Sequence, residues 1–189
     1  MSANIKSLLS YSLIELCREN ANRKITVTQL LEVSGVSRQV FYNNFQDLQD
    51  LILWTYVHKV QMPLTEKVWA PKVLNYEDYT AGMADILRRC RQYLPFMQFA
   101  YRDNSQNCLR IAGAEWVIDA EKKTICHEYH LEAIPPEIDY SVRVLTRGFF
   151  DYVGEWVMNG AKDPEPEVLA KYIVGLRFRA YAGLLPDQD

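Results

Sequence analysis

The sequence predicts an all-α protein. Apolar residues recur three and four positions apart through nearly the whole 189-residue chain, and no stretch sustains the period-two alternation of a strand. Thr, Ser, Asp and Asn stand where the periodic segments begin, and Gly or Pro where they stop. The expected layout is an N-terminal three-helix unit with a helix-turn-helix, residues 1–47. A helical bundle, residues 48–189, follows and dimerises through its last two long helices, with a helix over 48–62 connecting the two parts.

In the first segment Ile5, Leu8, Leu9, Ser12, Leu13, Leu16 and Cys17 make one helical face, and Arg23–Lys24 mark a loop. Thr26 and Gln29 form a capping box, in which each residue satisfies an orphan backbone N–H at the helix start, with Ile25 and Leu30 placed as a hydrophobic staple. Gly35 ends this short second helix in a left-handed turn. Ser37 caps a third helix, from Arg38 to about Phe45, and Asp47 caps a fourth that runs to Pro63. The short helices and tight Gly turn have the spacing of a helix-turn-helix. Beyond Pro63 the helices lengthen. Asn75 caps one carrying Tyr79, Met83, Ile86, Leu87 and Cys90, and "DNSQN" (103–107) is a loop. Another helix runs through "AGAEWVIDAEKKTICHEYH" and ends before Pro135–Pro136. The penultimate one presents Val142, Leu145, Phe149, Tyr152, Val153 and Trp156 and stops at Asn159–Gly160; Asp163–Pro164 open the last. These two carry surplus apolar residues (Val144, Phe150 and Val157 lie off the main stripe), which suits half of a four-helix dimer interface or a wide core-facing stripe. The expected interface is Phe150, Val157, Leu169, Tyr172, Ile173, Leu176 and Ala180.

Composition narrows the function classes. Apolar residues make up 49% of the chain and charged ones 24%, which supports a packed core and excludes whole-chain disorder. No apolar run reaches the ~20 residues of a membrane span, and Ser10, Ser12 and Glu15 interrupt the N-terminal segment, so a soluble cytoplasmic protein is expected. The four cysteines are widely spaced; Cys17 and Cys90 fall on apolar faces, as reduced, buried thiols do. Net charge is −3, yet up to Met62 six bases face five acids, a weak tilt toward a polyanion at that end.

Residues 25–52, "ITVTQLLEVSGVSRQVFYNNFQDLQDLI", resemble the DNA-binding domain of the TetR family of transcriptional regulators through the ordered blocks I-T-V, S-G-V-S-R, F-Y-x-x-F and a spaced L-I. Within the family, "SGVSRQVFYNNFQDLQDL" and "GFFDYVGEWVMNG" look most like regulators related to the dihydroxyacetone-kinase operon activator. The resemblance implies a homodimer that places its third helix in the major groove of double-stranded DNA at a palindromic operator. Arg38 and Gln39, in the first turn, have the chemistry to pair with guanine and adenine edges. Tyr42 and Asn43 stand one turn later, and Thr26, Thr28 and Ser37 are candidate phosphate contacts as well as caps. Val36, Val40, Phe41 and Phe45 anchor the reading helix. Two departures weaken the expected grip: Val40 replaces a small hydroxyl residue, and Leu48 stands where the family usually has a phosphate-gripping Lys.

The resemblance also implies that the second part often encloses an inducer pocket. Tyr93, Phe96, Trp116, Phe149 and Tyr152 are the candidate walls for a small-molecule effector, and they equally suit an ordinary core. In "CHEYH" (126–130), Cys126, His127 and His130 lack further ligands at zinc spacing, so a solvated helix is expected, with no metal and no cofactor. No nucleophile elbow, phosphate loop or paired-carboxylate motif supports an enzyme. Two readings stay open: a DNA-binding transcriptional regulator, and a regulatory partner protein that uses the fold for protein–protein contact with weakened DNA binding.

Overall fold

The computed structural model describes residues 2–20, 24–61, 75–106 and 108–184, and all regular structure among them is helical. The elements are α1 (Ser2–Glu19), α2 (Val27–Ser34), α3 (Arg38–Tyr42), α4 (Leu48–Tyr56), α5 (Tyr76–Gln92), α6 (Leu94–Arg102), α7 (Leu109–Glu128), α8 (Pro136–Met158) and α9 (Pro166–Tyr181). A π-helical turn, Val57–Gln61, prolongs α4. The expected end of that helix at Met62–Pro63 lies outside the described residues, as does Arg23 of the first loop.

Local chemistry sets most boundaries. The Thr26–Gln29 box forms, with Gln29 N donating to Thr26 Oγ1 at 3.3 Å and Thr26 N donating to Gln29 Oε1 at 3.0 Å. Gly35 sits at φ 67°, left-handed, and its N–H closes on Leu31 O. α3 is shorter than expected: it stops at Tyr42 because Asn44 turns its amide back onto Val40 O at 2.8 Å, and a two-residue turn precedes Phe45. α6 is an additional helix, entered through Pro95 in its first turn. The last helix starts at Pro166, two residues beyond the expected Asp163–Pro164.

One continuous core runs from Leu9, Leu13 and Cys17 of α1, through Leu30, Phe41 and Phe45, to Phe150, Trp156 and Val174. α1 packs on α2, α4 and α6; α4 also meets α7; α5 lies along α9, and α7 along α8. Close approach of α7 and α8 depends on Gly113, where a Cβ would stand 2.6 Å from the Phe150 ring. Leu8, expected on the buried face of α1, is 40% exposed, since the helix buries the stripe through Leu9, Leu13 and Cys17 instead.

Cys17, Cys90 and Cys108 are buried, and burial pushes the Cys17 and Cys90 thiols up to about 12. Cys126 is half-buried. Only the thiolate attacks a disulfide reagent. The native protein at pH 8 should therefore yield one fast-reacting thiol, Cys126, and all four after denaturation, measured by a colorimetric thiol assay.

Candidate nucleic-acid interface

The expected reading head assembles on the surface. Thr26, Thr28, Ser37, Arg38, Gln39, Tyr42 and Asn43 are all exposed, while Phe41 and Phe45 beneath them are 0% and 2% exposed. Val36 is buried and Val40 half-buried, so the four anchors hold α3 from one side and leave its first turn free on the other. Ser37 Oγ accepts from Val40 N at 3.3 Å and caps the helix. Arg38 reaches across to α2, its Nη2 donating to Thr28 Oγ1 at 3.3 Å, which brings the candidate base reader and a candidate phosphate contact together. Tyr42 is half exposed, its ring edge-on to Phe41 at 5.2 Å between centroids. Lys6 of α1, absent from the expected set, places its ammonium 5.1 Å from the centroid of the Phe45 ring and brings a positive charge to the base of α3. No local sequence signal links it to residues some forty positions away.

The start of α4 is built differently. Leu48 is half-buried against the core, so its side chain serves packing. Asp47 caps the helix, accepting from Asp50 N at 2.8 Å, and Asp50 in turn accepts from Gln46 N at 3.0 Å. Two carboxylates thus occupy the helix N-terminus, satisfying its amides and repelling any phosphate that approaches. Behind this turn, Gln49 of α4 donates its amide to Asp103, just past the end of α6.

The long helices correct the expected dimer set. Phe150 and Val157 are fully buried in the protomer's own core and Leu169 is 2% exposed. The face left outside is Val144, Tyr152, Tyr172 and Leu176, each 47–65% exposed, with Ile173 and Ala180 half-buried. On α8 the core takes Val142, Phe149, Val153 and Trp156 of the expected stripe and also Phe150 and Val157, while Tyr152 of that stripe is exposed. With Leu145 and Gly148, the outer residues border an open apolar groove of about 480 Å³ between α8 and α9.

The aromatic set does not share one pocket. Phe96 is buried in the core, Tyr93 and Trp116 are half-buried against it, Phe149 borders a small internal cavity, and Phe149 and Tyr152 border the groove. That cavity measures about 20 Å³, the size of one water, between Gln61, Tyr79, Met83, Val117, Phe149 and Arg177. Beside it lies a charged cluster, Glu121 with Arg177, that sequence reasoning missed because its members are 56 positions apart. His130 lies past the end of α7 with φ 51°, so it and His127 do not share a helical face.

Over 142 residues, 67% of this chain and 71% of the relative's length, the sequence is 25% identical to the HTH-type dhaKLM operon transcriptional activator DhaS of Lactococcus lactis subsp. lactis (strain IL1403). The chain is similar to a transcriptional regulator. A solved structure of the dihydroxyacetone kinase operon activator DhaS superposes with a TM-score of 0.57 at 15% identity, covering 96% of this chain and 98% of that one, and shares its fold. No family model matches the chain. Among the described residues, no helix is long and apolar enough to cross a membrane.

Proposed function

We propose that this protein is a transcriptional regulator of the TetR type that binds a palindromic DNA operator as a homodimer. Residues 1–47 form the reading head and 48–189 the dimerising body. The observation that carries the reading is the first turn of α3: Arg38 and Gln39 stand exposed on a helix pinned by Phe41 and Phe45, with Thr28 in reach of the guanidinium. Arg and Gln there match the guanine and adenine edges of the major groove, and the similarity to a transcriptional activator supports the same class. A second copy on the α8–α9 face supplies the second head that a palindrome requires. Fluorescence anisotropy with the DNA flanking the protein's own gene tests this, with salt-sensitive binding of a dimer as the expected result and no binding at low salt as the result against it.

A second reading, a regulatory partner protein with a weakened DNA head, is favoured by the start of α4. Leu48 gives no charge there and Asp47 and Asp50 give the wrong one. Each phosphate contact absent from a head flattens the log–log salt dependence by about 0.9. Asp47→Ser keeps the cap and removes one charge. It should tighten DNA binding by about fivefold at low salt, the scale of one charge a few ångströms from a phosphate in water, with the melting temperature unchanged. Anisotropy and thermal denaturation check both halves. The internal cavity beside Phe149 has room for one water and is too small for an effector, whereas the larger groove between α8 and α9 is open.

A further inference from the structure

Inside the body of long helices, far in sequence from the reading head, a charged cluster is sealed from solvent. Glu121 of α7 and Arg177 of α9 are each 3% exposed, and Arg177 Nη1 donates to both carboxylate oxygens. Thr146 of α8 joins them, its hydroxyl donating to Glu121 Oε2 at 3.3 Å and accepting from Arg177 Nη2 at 3.0 Å. Tyr181, one turn beyond Arg177, donates to Glu121 Oε1 at 2.7 Å. Burial pulls the guanidinium's proton affinity down, and Glu121 together with Tyr79 and Tyr181 more than reverses that, so Arg177 stays charged.

Such a cluster is a poor way to gain stability. Taking both charges out of water is costly, and replacing a buried pair with apolar side chains of similar volume is often neutral or stabilising. Its distinctive property is direction. A planar guanidinium that satisfies a carboxylate and a hydroxyl from two other helices does so in one arrangement, whereas apolar side chains tolerate sliding and rotation. Three helices, α7, α8 and α9, meet in that arrangement.

The location gives the direction a use. Arg177 borders the internal cavity on one side and the outer α8–α9 groove on the other, next to Leu176 and one helical turn from Ile173. Any turn or shift of α9 that moved Arg177 off Glu121 would also move Tyr172, Ile173 and Leu176 relative to Val144 and Tyr152 on α8. We propose that the Glu121–Arg177–Thr146 cluster is a positioning device that fixes the register of α9 against α8 and thereby defines the face recognised by a second copy of this chain. The proposal rests on the homodimer reading above and adds to it the buried residues that shape that surface.

The test compares the full-length wild type with the paired apolar variant Glu121→Leu/Arg177→Met by sedimentation and by thermal denaturation. The expected result is a melting temperature within about 5 °C of wild type together with a dimer dissociation constant raised at least about tenfold. A folded double variant that dimerises as the wild type does overturns the proposal, because a merely structural pair would leave the outer face intact. If the double variant does not fold, Thr146→Val is set against Thr146→Ser. Only Ser keeps the hydroxyl that links both charges, so Val should weaken the dimer and Ser should not; equal dimerisation overturns the proposal. A monomeric wild type would remove the homodimer reading and this proposal with it, whereas a dimeric wild type with unaffected variants removes this proposal alone.

Discussion

Arg38→Ala should abolish useful operator binding and leave the fold untouched. The side chain is exposed, and among the described residues its one hydrogen bond is a 3.3 Å contact to the exposed Thr28 hydroxyl, so neither core nor cap depends on it. Losing an Arg contact to a base costs about 1–3 kcal/mol. A symmetric dimer loses it twice, so the affinity should fall at least about thirtyfold. The loss should be large on the cognate site and small on unrelated DNA, since a base contact carries sequence information and a phosphate contact does not. Anisotropy titrations on both DNAs, beside a melting curve, decide it. Equal affinity of variant and wild type for the operator would remove α3 as the reading helix.

Leu176→Glu should turn the dimer into a monomer and take operator affinity with it. Leu176 is 51% exposed on the α8–α9 groove, so a carboxylate there is solvated in the isolated protomer and costs its fold little. Across a two-fold interface two such charges would be buried without partners, which costs several kcal/mol. Sedimentation at micromolar concentration should show one protomer mass where the wild type shows two. Helicity measured by circular dichroism should match the wild type. A variant that stays dimeric would place the interface elsewhere on the surface.

These two residues also mark what was legible in the sequence. The candidate reading head is made of signals a few positions apart. The Thr26–Gln29 box, Gly35 and the Ser37 cap are local chemistry, and each formed as its residue types dictate. Arg38 and Gln39 follow directly from that cap, which is why their exposure could be anticipated. The proposed dimer face required a decision about phase on α8, where apolar residues surround the helix and periodicity alone leaves the inward side open. Phe150 and Val157 fell inside because α7 comes close at Gly113 and a large ring fills the space there, a contact 37 positions away in the chain. The Glu121–Arg177 pair was invisible for the same reason: each residue alone looks like an ordinary charge on a solvated helix. The short α3 was missed on a smaller scale, since Asn44 folding back on Val40 competes with the helix it follows.

The π turn at Val57–Gln61 bears on how the chain can vary in length. Up to Tyr56 the inward positions of α4 are Leu51, Ile52, Thr55 and Tyr56; continued as an α-helix, the same stripe would next turn Lys59 inward. The wider turn instead buries Val60 and Gln61, and Tyr56 closes it by donating to Gln61 Oε1 at 3.1 Å. One residue is about 100° of rotation in an α-helix. Deleting one residue among 57–59 would therefore let the segment close as a plain α-helix that still turns Val60 inward, at the place Lys59 would take without the extra residue. Chain length at this point thus has one residue of tolerance, and a related chain one residue shorter here could present the same inward side chains from an unbroken α-helix.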